Sequence, residues 1–327
     1  MTRPSEDDLI ARYFAPLAGE GGLNLRDDAA CLTPRPDRDL VLTADALVAG
    51  IHFLDDPPGS IARKALGVNV SDLAAKGADP IGFLLTLALP QDWTEAWLAE
   101  FAEGLGWAAR DWGCPLLGGD TVRASGGLTL SVTALGDVPA DRMVRRTSAR
   151  AGDLVCVTGT IGDAALGLAL RTPEGSGWKV SLSPEHRAHL ADRYLHPQPR
   201  IGLARALREY ATAAMDVSDG LAGDLAKMMR ASGATAVIIA EHVPLSEAAR
   251  AAVAADAALL DRVLTGGDDY EILCTVPEAR LDAFLVEAKE AGAPLAVIGR
   301  AVEGTGLPVF RQAGIERRFD AGSFSHF

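Results

Sequence analysis

Apolar positions in the first 140 residues switch repeatedly between a helical period and a strand period. Ser5, followed three residues later by Asp8, is typical of a capping box, and the apolar positions after it predict a helix that ends near Leu17. Gly77 and Pro80 end a second predicted helix. The pattern as a whole predicts helices over 60–76 and 94–112, and strands over 31–32, 40–47, 81–89, 115–117 and 128–135.

The hydrophobic pattern is interrupted between residues 139 and 152. Pro139, Gly152 and four arginines fall in this stretch, and a second apolar series begins at Leu154. Residues 172–184 are rich in Gly, Ser and Pro, which predicts a mobile loop, and the tail over 304–327 is expected to be irregular with one strand. The second series predicts helices near 162–171, 186–195, 200–211, 220–231, 246–264 and 278–290, and strands near 154–158, 235–240, 270–276 and 295–298.

This order of elements predicts a two-domain protein of the α+β or α/β class. We expect an N-terminal domain over residues 1–140, built on a mixed sheet with helices. We expect a C-terminal domain over residues 141–327, built as an α/β sandwich. A length of 327 residues is also typical of two domains, each large enough to bury a sizeable core.

Two short strings recur in the two halves of the chain. Val70 to Leu73 resembles Val217 to Leu221, and Gly118-Gly119-Asp120 resembles Gly266-Gly267-Asp268 at a nearly equal separation. Two explanations stay open at this point. The recurrence arises by chance, or the two halves have a related layout and face a shared cleft.

Composition narrows the class of partner. The chain carries 44 acidic and 31 basic side chains, which gives a formal charge of −13 and disfavours nucleic acids and anionic membranes as partners. No apolar stretch is long enough to span a bilayer, and the first residues lack the layout of a signal peptide. The four cysteines lie far apart, which disfavours a zinc knuckle or a disulfide framework and favours buried thiols in a cytoplasmic protein.

The common signatures of several enzyme classes are missing from the sequence. It contains no G-x-x-x-x-G-K-[ST] phosphate loop, no G-x-G-x-x-G after a strand and no G-x-S-x-G elbow. The six histidines show no zinc-binding spacing. Dehydrogenase, serine hydrolase and zinc-enzyme functions are therefore disfavoured.

Aspartates instead gather at predicted turns, next to strand ends and helix starts. Aspartate is a common turn former and helix cap, so a structural role stays open for each one. Asp45 lies inside an apolar run, however, and Asp216 and Asp219 together exceed what one helix cap needs. The acidic positions are Asp27-Asp28, Asp45, Asp72, Asp120, Asp216 with Asp219, and Asp268-Asp269 with Glu271.

Convergent carboxylates would repel one another unless cations offset their charge. Ligands that are all oxygen, with no histidine or thiolate, select magnesium, which typically uses carboxylates together with substrate phosphates. That chemistry is typical of phosphoryl transfer. The Gly-Gly pairs before Asp120 and Asp268 would also let the backbone approach a phosphate closely.

The residues around these aspartates form a series of motifs that spans nearly the whole chain. No single motif is specific, but their combination and order resemble the thiamine-monophosphate kinase family, of the superfamily that includes aminoimidazole ribonucleotide synthetase. The motifs are Asp27 to Ala30, Thr43 to Phe53, Lys64 to Pro80, Leu117 to Thr121, Val157 to Asp163, Met215 to Leu221, Thr265 to Glu271 and His326-Phe327.

The resemblance implies magnesium-dependent transfer of phosphate from ATP to thiamine monophosphate, which forms thiamine diphosphate. It implies a homodimer formed through the N-terminal domain, and a nucleotide and substrate cleft completed by the C-terminal domain. The implied contacts to the nucleotide come from Gly119, Asp120, Arg146 and Ser218, and those to the thiamine phosphate from His52, Asp268 and Phe319. The implied ligands of several magnesium ions are Asp27, Thr43, Ala44 through its carbonyl, Asp45, Asp72, Asp120, Asp216 and Asp219.

The sequence departs from the family pattern at several of these positions. Arg26 precedes the first Asp pair where Gly is usual, Ala44 replaces a common Thr, and Asp268 replaces a common Glu. The usual aromatic residue before the C-terminal His-Phe is absent at Ala321, so Phe319 or Phe324 would have to replace it.

Two other functions stay open as alternatives. The protein could be another ATP-using member of the superfamily, of the selenophosphate-synthesis, hydrogenase-maturation or purine-synthesis type. Cys31 follows the Asp pair rather than preceding it, and the chain ends in His-Phe rather than in a cysteine, which disfavours the first two types. A nucleotide-binding regulator without turnover is disfavoured because the carboxylate set is largely intact.

Overall fold

The computed structural model describes residues 4–172 and 177–320, which form two compact units. The first unit contains the chain up to Leu73 together with Ala78–Met143. The second contains the short segment Ala74–Gly77 and the chain from Val144 onward. None of the described helices is both long and apolar enough to cross a lipid bilayer.

The first unit is built on a four-stranded mixed sheet. Its strand order is β1-β4-β2-β3, with β2 and β3 parallel and the other neighbours antiparallel. Its strands are β1 (Arg38–Val48), β2 (Asp79–Leu89), β3 (Leu116–Arg123) and β4 (Thr129–Pro139), and its helices are α1 (Glu6–Leu9), α2 (Pro58–Ala75) and α3 (Glu95–Asp111). Short helical turns follow α1 at Ile10–Phe14, Ala15–Leu17 and Glu20–Leu25.

The predicted helix ends of this unit are confirmed. Ser5 and Asp8 form a reciprocal capping box at the start of α1, and Thr94 caps α3 by accepting a hydrogen bond from the amide of Trp97. Gly77 has φ +70°, a conformation that glycine adopts without the steric cost of a side chain, and it lies just after the end of α2. The helix predicted over 5–17 is helical throughout, although its hydrogen-bonding pattern changes after Leu9.

The two faces of the sheet in the first unit differ in their surroundings. One face lies against α2, where Thr43 donates a hydrogen bond to Asp72 and the amide of Asp45 donates one to Asn69. The opposite face exposes large apolar side chains: Leu40, Leu42 and Leu84 expose 47%, 61% and 39% of their surface. We call this face the open face; its strand positions include Leu40, Leu42, Ala44 and Ala46 of β1, Leu84 and Thr86 of β2, and Asp120 and Val122 of β3.

The second unit is built on a seven-stranded mixed sheet. The strand order is β11-β10-β7-β9-β5-β8-β6, in which only β10 and β7 are parallel neighbours. Its strands are β5 (Leu154–Thr158), β6 (Ala213–Asp216), β7 (Thr235–Ile239), β8 (Ile272–Val276), β9 (Leu295–Val302), β10 (Val309–Gln312) and β11 (Ile315–Arg317). Its helices are α4 (Asp163–Arg171), α5 (Gly177–Ser181), α6 (Pro184–Leu195), α7 (Ala204–Tyr210), α8 (Leu221–Ser232), α9 (Glu247–Ala255), α10 (Leu259–Thr265) and α11 (Leu281–Glu290).

Helices cover both faces of this sheet, which confirms the predicted α/β sandwich. Alternate residues of β5 point to opposite faces: Val155 and Val157 join a core with α4, α8, α9 and α10, whereas Leu154 and Cys156 join a second core with α7 and α11. Three cysteines, Cys114, Cys156 and Cys274, are buried free thiols, as expected, and Cys31 is exposed.

Several local predictions were wrong. Residues 31–32 form no strand, and β3 continues six residues past the predicted end at 117. In the described part of the tail, up to residue 320, two short strands form where one was expected. Within the predicted mobile loop, residues 173–176 lie outside the described part, and Gly177–Ser181 forms the short helix α5.

Candidate functional site

The first unit contains a cavity of about 840 Å³ that brings three candidate residues together. Asp27, Gly119 and Asp120 all line it, although 92 positions separate the first two along the chain. Its walls are apolar side chains of the N-terminal segment, such as Ile10 and Phe14, and residues of the open face. A cavity with apolar walls and a few convergent polar groups is typical of a small-molecule site.

Gly119 is required by the packing of β3 on β2. A Cβ atom at this position would lie 1.8 Å from the carbonyl oxygen of Leu85. Any side chain would therefore clash with the backbone of β2. Gly267 is similarly confined, with the carbonyl oxygen of Ser218 at 2.2 Å from its ideal Cβ position. The close approach that the Gly-Gly pairs predicted is therefore made to the protein's own backbone in both places.

Asp45, Asp72 and Asp120 do not lie at turns, contrary to the sequence prediction. Asp45 lies within β1, Asp72 within α2 and Asp120 within β3. Thr43 and Asp72 are joined by a 2.5 Å hydrogen bond on the covered face of the sheet. Asp120 lies on the open face, as Ala44 does, because strand residues alternate between faces.

The implied magnesium ligands therefore do not form one preassembled cluster in either unit. Among the residues that the structure describes, no group of three or more His, Cys, Asp or Glu side chains is placed to hold a metal ion. What the first unit provides is a Thr43–Asp72 oxygen pair on one face of the sheet and Asp27 with Asp120 at the cavity. The complete ligand set stays a prediction.

In the second unit, two predicted motifs are joined through their backbones. The loop between β6 and α8 carries Ser218, and the segment before β8 carries Asp268. The amide of Asp268 donates a 2.8 Å hydrogen bond to the carbonyl of Ser218, and the amide of Tyr270 donates one of 2.9 Å to that of Val217. The candidate nucleotide contact and the candidate substrate contact are thus held side by side.

Asp219 is held by two residues that the sequence analysis missed. Lys227 forms an ion pair with the carboxylate of Asp219 and lies 2.9 Å from Asp224, which is fully buried. Asp224 also accepts a 2.9 Å hydrogen bond from the amide of Asp219. Burial raises the pKa of Asp224, and Lys227 opposes that shift. The sequence did offer a signal for these two residues. Asp224 and Lys227 come shortly after Asp219, on the first two turns of the helix predicted there.

Asp269 and Glu271 anchor the same segment from inside the protein. Asp269 accepts hydrogen bonds from the amide of Gly162 at 2.9 Å on both carboxylate oxygens, and Glu271 is fully buried against Arg193 and Arg200. Burial raises the pKa of Asp269 well above its ordinary value. Sequence reasoning grouped these two residues with the acidic positions at predicted turns, whereas the structure gives them partners in the core.

Asp216 ends β6 with only 5% of its surface exposed. His52 accepts a 3.0 Å hydrogen bond on Nδ1 from the amide of Val48, which stabilises the turn after β1. Arg146 is exposed, and its carbonyl accepts a hydrogen bond from Ser232. Phe319 packs edge-on against Phe310, with ring centres 5.2 Å apart. The ligand contacts implied for these four residues stay predictions. Ala321, Phe324 and His326-Phe327 lie outside the described residues.

Comparisons with known proteins assign nearly the whole chain to one family. The family described as AIR synthase related protein matches with its N-terminal domain over residues 26–138 and with its C-terminal domain over residues 150–311. Thiamine-monophosphate kinase of Caulobacter vibrioides is 41% identical over 94% of this chain and 87% of the relative. The enzyme of Salmonella typhimurium is 40% identical over 98% of both chains. The chain belongs to the thiamine-monophosphate kinase family.

Solved structures of the thiamine-monophosphate kinase family share the fold. The enzyme from Stenotrophomonas maltophilia has a TM-score of 0.80 and 39% identity, over 89% of this chain and 90% of that one. AaThiL complexed with AMPPCP and TMP has a TM-score of 0.77 and 30% identity, over 98% and 94%. The hydrogenase maturation protein HypE in complex with ATP has a TM-score of 0.76 but only 22% identity, so it shows a common fold alone.

Proposed function

We propose that this protein transfers the terminal phosphoryl group of ATP to the phosphate of thiamine monophosphate, which yields thiamine diphosphate and ADP. This reaction would complete thiamine diphosphate biosynthesis. The observation that carries the proposal is the similarity, over nearly the whole of both chains, to thiamine-monophosphate kinases and to the AaThiL complex with AMPPCP and TMP. The superfamily alternatives have no comparable support, because the HypE similarity extends to the fold only.

The reaction needs little covalent assistance from the protein. The acceptor is a phosphate oxygen that is already deprotonated near neutral pH, so no general base is required. Rate enhancement would come from placing the two phosphates in line and from stabilising the charge of the transferring group. The chain's residues would therefore act as positioning groups and electrostatic groups.

Magnesium fits the donor chemistry of the chain. All of the implied ligands are carboxylate, hydroxyl or carbonyl oxygens, the donors that magnesium prefers. When bound, the ion would neutralise phosphate charge. The Thr43–Asp72 pair, and Asp27 with Asp120 at the cavity, support this proposal. We propose the ligand set Asp27, Thr43, Ala44 through its carbonyl, Asp45, Asp72, Asp120, Asp216 and Asp219.

The remaining assignments concern the two substrates. For the nucleotide, the proposal is supported by the position of Gly119 and Asp120 at the 840 Å³ cavity. For thiamine monophosphate, it is supported by the backbone link between Asp268 and Ser218. The proposed nucleotide residues are Gly119, Asp120, Arg146 and Ser218, and the proposed thiamine phosphate residues are His52, Asp268 and Phe319.

We also propose that the protein is a homodimer formed through its N-terminal domain, residues 1–140, and that residues 141–327 form the second domain. The exposed apolar side chains of the open face support the choice of surface, because such patches commonly mark protein interfaces. A cytoplasmic location agrees with the four free thiols.

The test is incubation of the purified protein with ATP, magnesium and thiamine monophosphate, with chromatographic detection of the products. We expect thiamine diphosphate and ADP in equal amounts. Asp120→Asn should lower turnover at least about 100-fold by removing a charged metal and nucleotide contact, whereas the exposed control Asp92→Asn should retain it. Consumption of ATP only with another acceptor, or full turnover by Asp120→Asn, would contradict the substrate and the site assignments respectively.

A further inference from the structure

The segment that carries Asp268 has an unusual backbone. Asp268 has φ +72° and Tyr270 has φ +50°, so two residues other than glycine adopt the left-handed region within three positions. Such conformations cost conformational energy in any residue except glycine, and they persist only where surrounding interactions impose them. Tyrosine tolerates this region especially poorly, so the position of Tyr270 calls for a reason.

The surroundings of the segment do impose this backbone. Asp268 and Tyr270 donate amide hydrogen bonds to the carbonyls of Ser218 and Val217, while the amide of Val217 donates to the carbonyl of Glu271. Asp269, between the two strained residues, is fixed inside the protein by the amide of Gly162. The segment is therefore anchored at consecutive positions by two other parts of the second unit, the Val217–Ser218 loop and Gly162.

This backbone conformation brings the side chains of Asp268 and Tyr270 into contact. The hydroxyl of Tyr270 donates a 3.2 Å hydrogen bond to Oδ1 of Asp268. Both side chains are half-buried, whereas Asp269 between them is buried. We propose that Tyr270 is a positioning residue that fixes the orientation of the Asp268 carboxylate toward the cationic thiamine group of the substrate.

This inference rests on the proposed function and extends it to a residue outside the implied contacts. The carboxylate of Asp268 is carried on a short side chain, so it has little reach and few rotamers from which to find its partner. A hydrogen bond from a ring on the same strained turn limits that freedom further. Preorganising a carboxylate lowers the entropy lost when it binds a cationic group. Tyr270 should therefore act on substrate binding rather than on the chemical step.

The experiment compares Tyr270→Phe with Tyr210→Phe in steady-state assays with each substrate varied. Tyr210 is the matched control, because its hydroxyl also donates to a carboxylate, Glu287, at 2.7 Å, but on the helices α7 and α11. We expect Tyr270→Phe to raise KM for thiamine monophosphate about 3- to 10-fold, with kcat and KM for ATP nearly unchanged. Tyr210→Phe should leave all three constants unchanged.

A double-substitution cycle separates positioning from a general loss of structure. Asp268→Gly removes the carboxylate and is compatible with φ +72°, since glycine adopts this conformation readily. Tyr270→Phe should have no further effect on KM for thiamine monophosphate in the Asp268→Gly background. An unchanged KM in Tyr270→Phe, an equal effect on both substrates, or additive effects in the double variant would overturn the inference.

The same series separates this inference from the proposed function. If the wild-type protein does not phosphorylate thiamine monophosphate, the proposed function fails and the inference fails with it. If the wild type is active and Tyr270→Phe matches it in every constant, only the inference fails. Urea unfolding of each variant shows whether a change in KM accompanies a loss of folding.

Discussion

Individual aspartates of this chain have different roles that their local sequence does not distinguish. Asp268 and Asp269 are neighbours in one acidic motif, yet one is half-buried beside a tyrosine and the other is buried with the amide of Gly162. The sequence could identify the motif, because its spacing and order are specific. It could not separate the two residues, because burial depends on packing against Gly162, more than 100 positions away.

The burial of Asp269 predicts a pH-dependent stability. Its pKa is raised in the folded state, chiefly by burial, so its protonated form is favoured there. Its contribution to folding is therefore most favourable below its unfolded pKa of about 4 and is lost as pH rises through the folded pKa. Asp269→Asn keeps an oxygen that accepts from Gly162 but does not titrate. We expect its free energy of unfolding, relative to wild type, to increase between about pH 4 and pH 8, as measured by urea denaturation.

Asp282→Asn is the control for this titration, because Asp282 is exposed on α11. Its difference from wild type should stay small across the same pH range. If the difference in free energy of unfolding between Asp269→Asn and wild type stays constant or decreases with pH, burial does not raise the pKa of Asp269.

At the scale of elements, most helices were predictable because their caps lie within a few residues of their apolar faces. Ser5, Thr94 and Gly77 mark helix ends by local chemistry alone. The strand β3 was predicted too short because Gly118, Gly119 and Asp120 have low strand propensity. Parallel pairing with β2, which the local sequence does not encode, extends the strand through them.

This pairing predicts different results for two adjacent glycines. Gly119→Ala would place Cβ 1.8 Å from the carbonyl oxygen of Leu85, so β3 would have to move away from β2. We expect a loss of about 2 kcal/mol or more in the free energy of unfolding. Gly118→Ala would meet only Leu84 at 3.4 Å, an ordinary contact, and should fold with nearly wild-type stability in urea denaturation. Equal stability of the two variants would contradict the β2–β3 register.

At the scale of the whole molecule, the exposure of large apolar side chains on the open face has no explanation within a single chain. Sequence periodicity gave β1 an apolar run without indicating that its two faces differ: Val41 and Leu47 are buried, while Leu42 is 61% exposed. The acidic excess of the chain also did not identify this surface, because its most exposed large side chains, Leu40 and Leu42, are apolar. Which strand face stays uncovered depends on where α2 lies, and only the structure shows that.

The homodimer proposal predicts that a charge on this face separates the subunits. Leu42→Glu would place a carboxylate at the exposed centre of β1, where burial in an interface without a partner for the charge is costly. We expect light scattering to give a dimer mass for the wild type and a monomer mass for Leu42→Glu. Val286→Glu, at a 58% exposed position on α11 of the second unit, should remain dimeric. A monomeric wild type, or a dimeric Leu42→Glu, would exclude the open face as the contact between subunits.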